Sequence, residues 1–329
     1  MKGEELVAEF ARAQILLRMC DELLPSAVGA NLPKSVIIFG CGYVGTALAE
    51  VLLCAGVRVG ALTRNTEKAA QLQALGLSEV VVADLSEESW HAQVSGSYES
   101  VVNCVSSAGG GIAGYRKSYL EGQRSILKWA QGREIQAYLY TSSTSVYPQD
   151  GGVSVDETAD TSAAPPTGQV LRESEQLLAE AGDAFGAWYV LRLAGIYGPG
   201  RHYLLDLLRS GESVIPGVGD ILLNLIHRDD IVTAICTALA HPQSANSGIY
   251  NVSDNHPAAK AELVQWLAER LEQPAPCFDP DHVSPRLQRR GGRMPSREIS
   301  NHKLRQTLEW APKYESFRAG YEALLRASS

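Results

Sequence analysis

The stretch "SVIIFGCGYVGTALAEVLLCAG", residues 35–56, decides the fold. Its first five residues after Ser35 are apolar or glycine, which predicts a short buried strand over 35–40. The residues from Gly45 onward space their apolar side chains as a helix does. Between strand and helix stand Gly40, Gly42 and Gly45 in the G-x-G-x-x-G spacing. The first glycine permits a tight turn, the second lets backbone approach a pyrophosphate, and the third lets helix pack on strand. The helix start, with Tyr43 and Val44 inside the turn, offers N–H donors and a positive dipole end to phosphate. The expected ligand is a dinucleotide.

Working outward, the same alternation repeats. Strands are expected at 57–62, 79–85, 99–105, 135–143 and 187–195, with helices near 115–132 and 168–182 between the later ones. This pattern implies an α/β fold, a doubly wound parallel Rossmann sheet with right-handed crossovers. After residue 196 the pattern loosens into a smaller C-terminal substrate lobe, with a strand at 248–254 expected back in the sheet and a helix at 258–271. Residues 274–298, rich in Pro and Arg, read as a loop or lid. The division is then 1–33 as an N-terminal helix and linker, 34–195 as the NAD(P)-binding domain and 196–329 as the lobe. Leu6, Phe10, Ala13, Leu17, Cys20 and Leu24 give the N-terminal helix its apolar stripe.

Composition narrows the function. The 329 residues carry a net charge of −8, which argues against nucleic acid or an anionic membrane as partner. No apolar run approaches the roughly 20 residues of a membrane span. Six cysteines, scattered without metal-ligand spacing, suit a reducing compartment. The early Glu4, Glu5 and Glu9 are wrong for a targeting peptide. A cytoplasmic protein acting on a small molecule, with no metal, is the expectation.

The end of the second strand selects the cofactor. An acid there would bind the ribose 2′-hydroxyl of NAD, and an Arg accommodates the 2′-phosphate of NADP. The residues "ALTRNTEK" put Arg64 there, with no acid until Glu67 and with Lys68 adding charge. NADP is therefore favoured over NAD. Asp84, followed by Leu85, is either an acceptor for an adenine amino group or the N-cap of the next helix. Ser106 and Ile196, just beyond later strands, complete the expected cofactor wall.

Four later motifs carry a family resemblance. "SSTSVY" (142–147), "VLRLAGIYGPG" (190–200), "LIHRDDIVTAI" (225–235) and "GIYNVSD" (248–254) occur in order and at spacings that resemble the extended short-chain dehydrogenase/reductases, the NAD-dependent epimerase/dehydratase family. The likeness runs from about 35 to 325. The short glycine motif and the tail "SREISNHKLRQTLEWAPKYESFRAGY" (296–321) resemble its atypical, YeeZ-like branch.

That resemblance implies hydride transfer at the nicotinamide, with a Tyr hydroxyl as acid/base, a Lys four residues later lowering its pKa, and a Ser or Thr orienting the substrate oxygen. Ser143 matches the Ser/Thr. Gly168 and Glu175 keep the register of P-Y-G-x-x-K-x-x-x-E, but Thr167 stands in place of the Tyr and Leu171 in place of the Lys. A Thr hydroxyl titrates far above a phenol's ~10. Substitutes are Tyr147, Tyr115, and His202 with Tyr203, while the resemblance makes His227 structural at the lobe junction. Arg201, Arg228, Arg286, Arg289, Arg290 and Arg293 are candidates for an anion-binding surface. Two functions stay open: an NADP(H)-dependent oxidoreductase or epimerase/dehydratase-like enzyme with a displaced acid/base, or a non-catalytic NADP(H) sensor or scaffold. The resemblance also makes a monomer or a homodimer, paired through helices near 115–130 and 168–182, the expected states.

Overall fold

Every residue of the strand Ser35–Phe39 (β1) is buried, so both of its faces must be covered. Val36 and Ile38 point into one apolar layer and Ile37 and Phe39 into the other, as the two-residue period of a strand requires. Each isoleucine hidden this way contributes about 1.5–3 kcal/mol. The computed structural model describes residues 23–107, 109–282 and 294–327.

Around β1 assemble β2 (Arg58–Thr63), β3 (Glu79–Val82), β4 (Ser100–Asn103), β5 (Ala137–Ser143), then, past the short β6 (Val153–Val155), β7 (Ala187–Leu193). The later strands are β8 (Gly195–Tyr197), β9 (Val214–Pro216), β10 (Leu222–Leu223), β11 (Leu225–His227), β12 (Gly248–Val252), β13 (Ala258–Ala259), β14 (Cys277–Asp279) and β15 (Arg297–Ile299). Seven form one sheet in the order β12-β7-β5-β4-β1-β2-β3, parallel throughout. The order reverses between β1 and β4, the switch point at which open α/β sheets bind ligands.

Helix α1 (Tyr43–Cys54) follows the glycine turn and α2 (Thr66–Ala74) follows β2. The next helix, α3, has three parts: Gly111–Tyr115, a π-helical turn Arg116–Glu121, and Gly122–Ala130. Beyond it lie α4 (Pro166–Glu180), α5 (Tyr203–Arg209), α6 (Arg228–Ala240), α7 (Lys260–Arg270), α8 (His302–Leu308) and α9 (Phe317–Ala327). Leu48 and Leu52 of α1 and Ile231 and Ile235 of α6 cover one face of the sheet. Ile126 and Trp129 of α3 and Leu178 of α4 cover the other. The C-terminal lobe has its own core, in which Leu205, Leu263, Leu267 and Phe317 are buried together.

Two expectations change. Residues 274–298 are not uniformly loop: β14 pairs with β9, and β15 pairs with β6. Three-residue strands have too little period to show in a sequence, and partners more than 60 residues away decide them. The third strand ends at Val82 rather than Leu85, because Asp84 to Ser86 turn sharply. The N-terminal helix lies outside the described residues except for its last two positions, Leu23 and Leu24, both of which are buried. Arg286, Arg289, Arg290 and Arg293 also lie outside them. Among the described residues no helix is long and apolar enough to cross a membrane.

Candidate cofactor site

Gly40 takes φ +83°, and a Cβ there would sit 2.6 Å from the Val105 Cα, so β1 can turn against β4 only with glycine. A Cβ on Gly45 would fall 2.9 Å from the Gly40 carbonyl oxygen, which is how closely α1 lies on the turn. Gly42 differs: its nearest neighbour would be 4.0 Å away, so the space above it is open. Gly42 is also the N-cap of α1 and supplies no side-chain acceptor, which leaves the first N–H groups of the helix for a ligand. The open space is a cleft of about 740 Å³ at the carboxyl ends of the strands, and its free helix N–H groups suit the phosphates of a dinucleotide.

Gly40, Gly42, Tyr43, Arg64, Asp84, Leu85 and Ser106 all line this cleft. Gly45, Val44 and Ile196 do not: Gly45 is pressed against the Gly40 carbonyl, Val44 packs in the core beneath α1, and Ile196 packs against the same core from β8. At one end the Asn65 Oδ1 accepts from the Lys68 N–H at 2.9 Å and caps α2, which presents Arg64 and Lys68 together.

Asp84 is not a helix cap. Its Oδ1 accepts from the N–H and hydroxyl of Ser86 at 3.1 and 2.8 Å, and its Oδ2 meets the Lys117 ammonium at 2.8 Å. Partial burial pushes its carboxyl up, but the bonds from Lys117 and Ser86 outweigh that and hold it below the usual carboxylate range. Sequence reasoning missed Lys117 and Ser118 as cleft residues. They lie in the π-helical turn, where the 3.6-residue period no longer tells which face a residue takes. No signal short of the fold marks them.

At the end of β5, Ser143 is half-buried and its Oγ accepts from the Ser145 N–H at 3.2 Å. Beside it runs a buried polar chain. Ser142 donates to Glu175 at 2.5 Å, Glu175 pairs with Arg192 at 2.6 Å, and Arg192 donates to the Tyr147 Oη at 2.9 Å. Tyr147 in turn donates to the Asn251 Oδ1 at 2.7 Å and is 1% exposed. Burial raises its phenol pKa above the ordinary value despite the Arg192 charge. Thr167 lies half-buried in the first turn of α4. One turn on, Leu171 is sealed among Val146, Tyr147, Val155 and Ile299, and Tyr115 packs on that cluster. Gly168 lets α4 approach, since a Cβ there would be 2.9 Å from the Ser145 carbonyl oxygen.

His227 is buried and caps α6, its Nδ1 accepting from the Asp229 N–H at 3.2 Å. Burial lowers its pKa to about 4, so it is neutral at physiological pH. His202 meets Asp206 of α5 at 2.8 Å, and Tyr203 beside it is exposed. Arg201 and Arg228 both lie over the Tyr43 ring, at the glycine turn.

Known proteins resemble this arrangement. A 3-diazoavenalumate denitrifying reductase from a Streptomyces species is 28% identical over 321 residues, covering 87% of this chain and 98% of the relative. Protein YeeZ of Escherichia coli is 32% identical over 161 residues, 49% of this chain and 55% of YeeZ. The solved structure of a putative NAD-dependent epimerase/dehydratase from Methylobacillus flagellatus superposes with a TM-score of 0.70 at 29% identity, covering 90% of this chain and 98% of its own. The family model for the NAD dependent epimerase/dehydratase family matches residues 36–253, and the chain belongs to that family.

Proposed function

We propose that this protein is an NADP(H)-dependent oxidoreductase that works without the phenol–ammonium pair usual in its family. The observation that carries the reading is that Arg64 and Lys68 line the ribose end of the cleft together, with no carboxylate between the end of β2 and Glu67. Two cations there make stronger, charge-assisted bonds to a 2′-phosphate than to a neutral 2′-hydroxyl.

The position of the ammonium is filled by Leu171, whose apolar surroundings would penalise a charge. Tyr147 has its hydroxyl committed to Arg192 and Asn251. The acceptor is then one that needs little proton delivery at oxygen. NADPH, when bound, supplies a hydride. An acceptor that carries its own positive charge takes that hydride alone: an aryl diazonium group loses dinitrogen as its carbon–nitrogen bond is replaced by carbon–hydrogen. The denitrifying reductase of a diazo compound among the relatives supports this class. Ser143 orients the acceptor. Cys41 and Cys104 are free thiols held off solvent and Cys277 is an exposed one, which supports a cytoplasmic setting. The ligand is a small molecule bound by a monomer or homodimer.

NADPH oxidation followed against carbonyl, nucleotide-sugar and aryl diazonium panels tests the reading. Turnover of the diazonium class, reduced in the Ser143→Ala protein, is expected. Tight NADPH binding with no turnover of any class would replace it with the second reading, a non-catalytic NADP(H) sensor, which the sealing of Leu171 favours.

A further inference from the structure

We propose that Arg228, delivered by the helix α6 that packs on the sheet beside α1, is a second anchor for the cofactor's diphosphate. The inference rests on the cofactor assignment above. Arg228 is the first residue of α6, next to its cap His227. A cation there faces the positive end of the helix dipole, where acids are favoured and Asp229 and Asp230 already supply them. A residue that breaks a local rule in an otherwise consistent helix marks a functional constraint.

The geometry gives the constraint. Nε and Nη2 of Arg228 both reach the Asp229 Oδ1, at 2.9 and 2.8 Å, which fixes the guanidinium plane. Its Nη1 has no protein partner among the described residues. The group lies 5.4 Å over the Tyr43 ring and lines the cleft with Gly42 and Tyr43, although it comes from a segment about 185 residues away. Arg201 lies over the same ring at 5.4 Å. The Tyr43 hydroxyl donates to the Pro199 carbonyl at 3.0 Å. A Cβ on Gly198 would be 2.9 Å from that hydroxyl and 3.2 Å from the Arg228 Cβ, so the loop 198–201 is pressed onto the glycine turn. The uncapped N-terminus of α1 and the Arg228 guanidinium therefore converge on one place. The acids lining the same cleft are Glu50 on α1 and Asp84, which is held by Lys117. An anion with several acceptor oxygens suits that convergence.

Binding titrations of Arg228→Gln and Arg228→Lys with NADPH, NADH and adenosine 2′-phosphate test this, each variant first shown to be folded by circular dichroism. Arg228→Gln should weaken NADPH and NADH alike, by about tenfold or more, and leave adenosine 2′-phosphate within about twofold of wild type. The Lys variant should retain most of the affinity, and the salt dependence of NADPH binding should flatten only in the Gln variant. Unchanged NADPH and NADH binding overturns the proposal, as does equal weakening of all three ligands. A Lys variant as weak as the Gln variant overturns the role of charge. Loss of 2′-phosphate selectivity is read separately at Arg64, because NADH carries the same diphosphate.

Discussion

The guanidinium of Arg192 and the carboxylate of Glu175 meet at 2.6 Å with side chains only 5% and 3% exposed. The pair ties β7 to α4, and through Ser142 and Tyr147 it reaches β5 and, by Asn251, β12. Glu175→Gln leaves a buried guanidinium without its counter-charge, and we expect a loss of about 3–5 kcal/mol in urea unfolding. A loss below about 1 kcal/mol would show that water reaches the pair.

Gly40 and Gly42 should respond differently to alanine. Gly40→Ala meets both a left-handed φ and the Val105 backbone, so stability falls by about 1–3 kcal/mol or more. Gly42→Ala meets open space in the free protein, so melting changes less while NADPH affinity drops. Equal melting temperatures for the two variants would contradict this account.

Arg64→Ala should erase the preference for NADPH over NADH, a change of about tenfold to a hundredfold in the ratio of dissociation constants. Fluorescence titration of both cofactors measures it. An unaltered ratio would remove the basis for choosing NADP.

Restoring the family pair is unequal work at the two positions. Thr167→Tyr falls at a half-buried first turn and should be tolerated, whereas Leu171→Lys places an ammonium in an apolar cluster. We expect Leu171→Lys to lower stability by several kcal/mol, of the order of a buried unpaired charge. Thermal melts of the single variants decide it, and a Leu171→Lys protein as stable as wild type would show that the cluster opens to water.

Asp254 provides a test by pH. Burial raises its carboxyl to about 7, and its Oδ2 has no partner among the described residues. Buried Asp230, also raised to about 7, acts on it as a like charge. A carboxyl raised on folding holds its proton more tightly in the native state, so its contribution is complete below pH 3.8 and is lost as pH rises through about 7. His227, lowered to about 4, works in the opposite sense between about 4 and 6.5. The comparison is therefore made against Asp254→Asn, which keeps an acceptor for the His256 N–H and cannot ionise. That variant should gain about 1–3 kcal/mol on wild type as pH rises across this window. A constant difference from pH 4 to 8 would sink the assignment.

Much of this was readable from residue order. The glycine turn, the strand–helix alternation and the absence of an acid after β2 are local patterns, each governed by backbone sterics or by the two- and 3.6-residue periods. Thr167 and Leu171, where the resemblance expects a Tyr and a Lys, are likewise read from residue order alone. What residue order left open was whether Asp84 caps a helix: no helix lies between β3 and β4, and its carboxylate instead meets Lys117, 33 positions away in a turn of irregular period.

The sequence by itself therefore determined the doubly wound sheet, the glycine turn at its switch point and the cations that follow β2, because short-range periodicity and glycine geometry are written in neighbouring residues. Only the tertiary structure decided that Tyr147 is sealed against Arg192, that β15 pairs with β6, and that Arg228 and Arg201 close over Tyr43. Those contacts join segments that share no period, and they exist because packing both faces of one sheet brings the C-terminal lobe onto the turn that follows β1.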